Sequence, residues 1–382
     1  MNNTTAATGA RRLHEQLLHW LVQDAYPVWA ERGFDPEHGT FNEKLAATGP
    51  APLAPRRARV QTRQIYAYSM APELGWKGDP VPLVEATLGF FTRCYRRPDN
   101  LFSTLVHHDG RLADERVDLY DQAFVLLALA SCQKLLGPRA DVIDLATGLR
   151  EILLTRLRRP GGGFDCGPGE PPPLRSNPHM HLFESALAWS AISRDPGWRA
   201  LADELGELAL TRIIDPAQGV LRELFDGQWR PLPVEQGQAI EPGHQFEWAW
   251  LLLNFDSSPG SRARQAALRL YEIGARHGIN ADGIVVNALG DDLTVQDGAA
   301  RLWPHTEWLK ASARLARLTG EARYWQDAQR AASALLRFFE NRNPGLWWDK
   351  ITADGKWVEE AAPASSFYHI VCAIAEFGEQ LG

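Results

Sequence analysis

Histidine and glutamate recur in this chain at a spacing that suits proton transfer. The stretch "RSNPHMHLFESALAW" (175–189) sets His179, His181 and Glu184 within six positions, and "EPGHQFEWAWLLL" (241–253) sets His244 three residues before Glu247. At i, i+3 on a helix both side chains share one face. A carboxylate beside an imidazole fixes its tautomer and raises its basicity, which is what a proton-carrying histidine near neutral pH requires. Trp248 follows His244 at i+4 and is expected to wall the same pocket. Further along, "WPHTE" (303–307) contributes Trp303, His305 and Glu307, and "FYHI" (367–370) contributes Tyr368 and His369. Earlier, "VQTRQIYAYS" (60–69) brings Arg63, and "LYDQAFVLLAL" (119–129) brings Tyr120 and Asp121. Arginine is permanently charged and fork-shaped, so Arg63 suits a developing oxyanion. A metal site is the competing reading. On a helix, however, His179 and His181 point about 160° apart. No HExxH run and no nearby cysteine supports one, although ligands drawn from several helices need not be close in sequence. The expectation is an acid/base site with no metal and no cofactor, with His181 in the site and His179 structural or peripheral.

Those clusters sit at matching points of a repeated pattern. A turn-and-hairpin signature returns about every 60 residues: "GFDPEHGTFNEKL" (33–45), "DNLFSTLVHHDGR" (99–111), "GGGFDCGPGE" (161–170), "DPAQGVLRELFDGQW" (215–229), "NADGIVVNALGDD" (280–292) and "NPGLWWDKITADGKW" (343–357). Each sets turn residues beside a short apolar run. A polar cluster and a helix-length apolar segment follow each copy, beginning near Arg63, Tyr120, His181, His244, Trp303 and Tyr368. Between them lie amphipathic stretches such as "RQAALRLYEIGARHG" (264–278), whose charged residues suit a half-exposed outer layer. Six buried and six amphipathic helices describe an all-α (α/α)6 barrel, with the hairpins gathered at one rim. An open solenoid of helix pairs fits the one-sided hairpins less well. "GPAPLAPRR" (49–57) and "GPGEPPPLRS" (167–176) read as rim loops, so residues 1–382 are expected to form one catalytic domain. In a closed barrel every inner helix opens into one cavity. Caps and apolar residues would satisfy a purely structural demand there, and Asn177 alone could be a cap. Arginine, histidines and aromatics from six helices together call for chemistry.

Composition limits the partners. The chain has 382 residues, 45% hydrophobic and 23% charged, with a net charge of −7. That balance disfavours nucleic acid and anionic membrane. The start lacks the apolar region of a secretory signal, and no apolar run approaches the length of a membrane span. Four widely spaced cysteines suit a reduced, cytoplasmic protein. No P-loop, no dinucleotide-binding glycine motif and no GxSxG elbow is present. The expected partner is a small-molecule sugar, and a homodimer is left open.

In order and with even spacing, these motifs resemble the N-acylglucosamine 2-epimerase superfamily, which includes sugar 2-epimerases and mannose isomerases. "NPHMHLFESALA" is similar to its Asn-Pro-x-x-His-x-x-Glu element, "EPGHQFEWAWLLL" to its Gly-His-x-x-Glu-Trp element, and "WPHTE" and "FYHI" to those of its last two repeats. The resemblance covers essentially the whole chain. It implies a metal-free (α/α)6 barrel that moves a proton at sugar C2. By position, His244 and His369 become the acid/base pair facing each other across the cavity, and Arg63 meets the carbonyl oxygen. Asn177, His181, Glu184, Glu247, Trp303 and Glu307 hold hydroxyls or orient the histidines, with Glu247 paired to His244 as a catalytic partner. Tyr120, Trp248 and Tyr368 complete the expected substrate contacts. Disaccharide epimerases of the family tend to carry a second Trp just before the Trp-Pro element. Here that position is Leu302, which favours a monosaccharide.

The implied reaction removes the C2 proton of an open-chain aldose and leaves a cis-enediolate. Returning the proton to C2 on the other face gives 2-epimerisation; returning it to C1 gives aldose–ketose isomerisation, the reading preferred here. The same toroid hosts glycoside hydrolases, which need two opposed carboxylates. Each of the three rim glutamates has a histidine close by on its own helix, which counts against hydrolysis. A protein-binding barrel would have no use for a polar pocket of perturbed histidines.

Overall fold

The computed structural model describes residues 3–47, 49–50, 54–233 and 239–382. Twelve long helices among them alternate between two concentric layers. The outer ones are α1 (Asn3–Trp20), α3 (Val81–Cys94), α5 (Ala140–Arg156), α7 (Pro196–Leu208), α9 (Arg262–His277) and α11 (Ala322–Phe339). The inner ones are α2 (Ala58–Met70), α4 (Leu119–Leu136), α6 (Ser176–Ile192), α8 (Pro242–Phe255), α10 (Trp303–Thr319) and α12 (Ser365–Leu381). Each inner helix packs on the next inner helix, and α12 returns to α2, so the ring closes. The expected (α/α)6 barrel is the observed architecture.

Burial separates the layers as the residue patterns require. Helix α8 is buried without a break from Pro242 to Leu253, because it has barrel interior on one side and outer helices on the other. Helix α11 buries only a stripe at helical spacing, including Tyr324, Ala328, Ala331, Leu335 and Phe338. Local signals start the inner helices. The Asp118 carboxylate accepts from the Tyr120 N–H at 3.0 Å to cap α4, and Pro242 and Pro304 stand in the first turns of α8 and α10.

The rim hairpins join one repeat to the next. Arg56–Arg57, which leads into α2, pairs with Leu105–Val106 of the second hairpin. Leu174–Arg175 pairs with Leu224–Phe225, Ile240 bridges to Leu289, and Ala300–Arg301 pairs with Lys350–Ile351. Ala362–Pro363 then pairs with Lys44–Leu45, which closes the rim as α12 closes the wall. Both expected rim loops supply strands to this seam; residues 51–53 of the first lie outside the described residues.

In five of the six repeats one side chain fastens hairpin to helix. Gln61 accepts from the Phe41 N–H at 2.9 Å and donates to its carbonyl at 2.8 Å. Gln122 holds Phe102 in the same way, and Gln245 holds Leu221. In the other two copies a histidine takes the place: His179 Nε2 accepts from the Phe164 N–H at 3.0 Å, and His305 Nε2 from the Val285 N–H at 2.9 Å. His179 is therefore spent on the scaffold, and so is His305.

Candidate active site

With these five anchors as register marks, the inner helices present their side chains in layers. Two residues beyond each anchor, and beyond the equivalent Phe367, come Arg63, Phe124, His181, Glu247, Glu307 and His369. Five residues beyond come Tyr66, Leu127, Glu184, Trp250, Lys310 and Cys372. Above the first layer opens a cavity of about 230 Å³, lined chiefly by Arg63, Tyr120, Asn177, His181, His244, Glu247, Trp303 and His369. Eight of the residues singled out in the sequence meet there. Glu241, Arg301, Asp349, Ser365 and Ser366 complete the lining from the rim.

Two histidines flank one tryptophan. Trp303 has its ring centroid 5.0 Å from His244 and 5.7 Å from His369, so the pair sits on the helices either side of α10. Each histidine uses Nδ1 to bind a carboxylate, which leaves Nε2 for a substrate. His369 meets Glu307 at 2.9 Å, and His244 meets Glu223 at 2.9 Å with Glu241 at 3.8 Å. Glu247 does not orient His244, as its helical spacing had suggested. Helix geometry puts the two on one side of α8, but His244 turns up toward the hairpin that carries Glu223, while Glu247 points down toward His181 at 4.0 Å. Glu223 has no sequence signature, because it lies in a different element from its partner.

The environments drive these histidines apart. Burial disfavours a charged His244, but the carboxylates of Glu223 and Glu241 outweigh it and raise its pKa to about 10. Burial also disfavours a charged His369; there Glu307 pulls the other way without prevailing, Arg63 and Lys310 add repulsion, and the pKa falls to about 4. At neutral pH this pair is one imidazolium, His244, and one neutral imidazole, His369. His181, bound through Nδ1 to Glu184 at 3.0 Å, is likewise held down to about 4, chiefly by burial.

Around them the polar groups are aimed inward. Arg63 donates to the Tyr120 hydroxyl at 2.6 Å and to the Ser365 carbonyl at 3.2 Å, with its guanidinium 4.2 Å over the Phe124 ring. No carboxylate among the described residues pairs with it. Burial and the nearby charge of Glu307 push the Glu247 carboxyl well above the usual range, so Glu247 is a buried acid with a proton to donate. Its Oε1 has no hydrogen-bond partner, and neither has Asn177 Oδ1; both face the cavity. Asn177 lies inside the first turn of α6 and is not its cap.

Four expected substrate contacts are placed elsewhere. Glu184, one layer down, and Glu307, in the first layer, lie behind the lining, each bound to a histidine. Tyr368 is fully buried and donates its hydroxyl to Glu184. Trp248 stacks on Phe183 inside the core, because its position on α8 faces away from the cavity. Leu302 is core as well. Two groups, His181–Glu184–Glu247 and Glu247–Glu307–His369, bring three ligand atoms close enough to meet a cation. In the second, the protein supplies the cation: Lys310 Nζ lies 2.6 Å from Glu307. A second positive ion would be repelled there.

Across residues 39–373 the chain matches the N-acylglucosamine 2-epimerase (GlcNAc 2-epimerase) family. The chain belongs to this family and is an isomerase. It is 46% identical over 376 residues to a mannose-6-phosphate isomerase of Rhizobium meliloti (strain 1021), covering 96% of this chain and 97% of that one. A D-mannose isomerase of Thermobifida fusca is 26% identical, over 68% of this chain and 66% of its own length. The cellobiose 2-epimerase of Spirochaeta thermophila DSM 6192 has the same fold, with a TM-score of 0.87 at 23% identity over 97% of each chain. No helix among the described residues is long and apolar enough to cross a membrane.

Proposed function

We propose that the protein interconverts an aldose and its ketose, mannose to fructose in type, by moving a proton between C2 and C1 of the open-chain sugar. The observation that carries this is the pair of carboxylate-bound histidines on either side of Trp303 with opposite charge. Neutral His369 takes the C2 proton through Nε2. Charged His244 gives its proton to the carbonyl oxygen O1 as negative charge develops there, and takes the O2 hydroxyl proton back as His369 delivers the abstracted proton to C1, so both histidines end as they began. Arg63, with no ion-pair partner, stabilises the negative oxygen, and the protonated Glu247 donates to a neighbouring one. Separated acid and base within one cavity are what such a transfer requires. No step uses a metal, so exhaustive chelation should leave turnover intact; loss restored only by a divalent ion would remove this mechanism.

A single sugar ring is supported by the small cavity and by the core position of Leu302. Glu241, Asp349 and the Glu223 carboxylate behind His244 stand against Arg63, Arg301 and charged His244, with Glu247 neutral, and Arg301 is already bound to Glu241 at 3.1 Å. That balance favours an uncharged hexose. The second reading is the 6-phosphate, supported by the 46% identical relative; Arg301, half-exposed at the mouth, is the group that would meet it. Four free cysteines and the absence of disulfides among the described residues fit a cytoplasmic setting.

NMR of mannose, mannose 6-phosphate and N-acetylmannosamine in deuterated water decides between these. Fructose carrying deuterium at C1 is the expected product. A product with deuterium at C2 and inverted configuration would mean epimerisation instead. Exclusive turnover of the phosphate, lost in Arg301→Ala, would establish the second reading.

A further inference from the structure

His369 and His244 bind their carboxylates at the same 2.9 Å, yet they end with opposite charge. Part of the difference is a second carboxylate, Glu241, 3.8 Å from His244; the rest lies behind the carboxylates. Glu223 pairs with no lysine or arginine among the described residues. Glu307 has Lys310, a lysine with no exposure at all, whose ammonium lies 2.6 Å from its Oε2 and 3.9 Å over the Trp250 ring. A buried ammonium demands a strong reason, because desolvation costs more than one ion pair returns. We propose that Lys310 is the internal counter-ion that divides the labour between the two histidines: it holds Glu307 ionised while cancelling most of its pull, and so keeps His369 neutral as the base. This rests on the reading of His369 as proton acceptor, and it makes Lys310 a positioning residue.

The surrounding groups leave that charge to Lys310. From α2, Tyr66 is uncharged, its phenol pushed up by burial, and Arg63 opposes a charged His369 directly, ahead of Lys310, but forms no ion pair with Glu307. From α6, Glu184 is ionised but held by His181 and Tyr368. From α8, Glu247 carries its proton, and His244 is engaged with Glu223. From α12, Cys372 is a thiol, lifted by burial to about 12, and burial raises Glu376. Burial opposes the charge of Glu307 itself; the Lys310 ammonium, joined by the His369 hydrogen bond, overcomes this and brings it down to about 2. Without Lys310, the His369–Glu307 pair would bind one more proton near neutral pH, and the base would be blocked.

The test is the pH dependence of kcat/KM in Lys310→Met, Lys310→Arg and Lys310→Ala, with His369→Asn alongside. In Lys310→Met the acidic limb should move up by about three units, so that about tenfold is lost near pH 6 and regained in alkali. Lys310→Arg keeps the charge and should keep the limb. On the side away from the active site, a cavity of about 500 Å³ is lined by Glu184, Trp250 and Cys372, neighbours of Lys310. Ethylammonium entering there should restore Lys310→Ala, whereas sodium at equal ionic strength should not. A Lys310→Met limb that stays in place overturns the proposal, because a merely structural loss lowers the rate equally at every pH. A nearly normal rate in His369→Asn overturns the underlying reading instead, and this inference with it. Should the Met and Ala chains not fold, the nitrogen shifts of His369 in the wild-type protein decide: a neutral ring with its proton on Nδ1 supports the proposal, and an imidazolium at neutral pH overturns it.

Discussion

His244 acts as an acid only because two carboxylates outweigh its burial, and each is open to a direct test. Glu223→Gln keeps a hydrogen-bond acceptor but removes the charge 2.9 Å from Nδ1. The folded pKa of His244 should then drop, and the activity that depends on its proton should be lost at lower pH than in the wild type. The expected result is a basic limb of kcat/KM displaced toward neutrality by about one unit or more. A basic limb that does not move would dismiss His244 as the acid. At the same scale, His181→Ala should raise KM and lower kcat, since His181 lines the cavity, while His179→Ala should act on stability far more than on kinetics. Residue types in the sequence made the cavity legible, with Arg63, His181, His244, Trp303 and His369 all readable from motif and position. Glu223 was not, because a hairpin 21 residues earlier is brought to His244 only by tertiary folding. Lys310 was missed for another reason. A lysine in "EWLKASARL" reads as a solvated face, although its i, i+3 spacing from Glu307 was the available clue.

The helix-to-hairpin anchors make that clue systematic. Gln61, Gln122, His179, Gln245 and His305 each satisfy a buried backbone N–H of the preceding hairpin, so they mark equal depth on five helices. Counting from them predicts which later residues face the interior, and it assigns Lys310 to the same layer as Glu184. The helices themselves were legible because buried and amphipathic segments differ in pattern. The strand seam was not, since pairing between successive repeats leaves no trace in either strand alone. If the anchor's task is only to accept that N–H, glutamine and histidine should be interchangeable. His305→Gln should therefore cost well under 1 kcal/mol in denaturant unfolding, whereas His305→Ala strands the Val285 N–H and should cost about 1–3 kcal/mol. Both should turn over normally when folded. Equal destabilisation by Gln and Ala would mean that ring packing against Phe338, at 4.9 Å, matters more than the hydrogen bond.

For the whole molecule, the histidines predict how the closed ring responds to pH. His179, His181, His305 and His369 are each held down to about 4, burial being the largest cause in every case, against an ordinary value of 6.5. The unfolded chain therefore binds protons that the folded chain refuses. Their contribution to stability is fully present above pH 6.5 and is lost progressively as pH falls toward 4. His244 works in the opposite sense. Its pKa is raised to about 10, so its contribution is whole below 6.5 and fades as pH climbs through 10. Carboxylates with lowered pKa, such as Glu184 and Glu307, add to the acid loss only at or below their ordinary value of 4.5. Between 6.5 and 5 the four neutral histidines are opposed by carboxyls that burial raises in the fold, Asp121 to about 6 and Glu247 well above its ordinary range. Unfolding free energy, measured by denaturant titration at a series of pH values, should be highest near pH 7 and decline toward pH 9 with a slope of about one proton, the one that His244 keeps in the folded chain. It should also fall on the acid side, with a slope corresponding to a net uptake of about two protons, four taken up by the histidines less those that Asp121 and Glu247 already hold in the fold. His305→Gln should reduce that uptake by about one proton while leaving activity at neutral pH untouched, because the glutamine keeps the Val285 hydrogen bond and cannot titrate. Stability that stays flat between pH 7 and 5 would mean that the buried histidines charge freely in the folded barrel, and that the neutral His369 required of the base is not what the fold enforces.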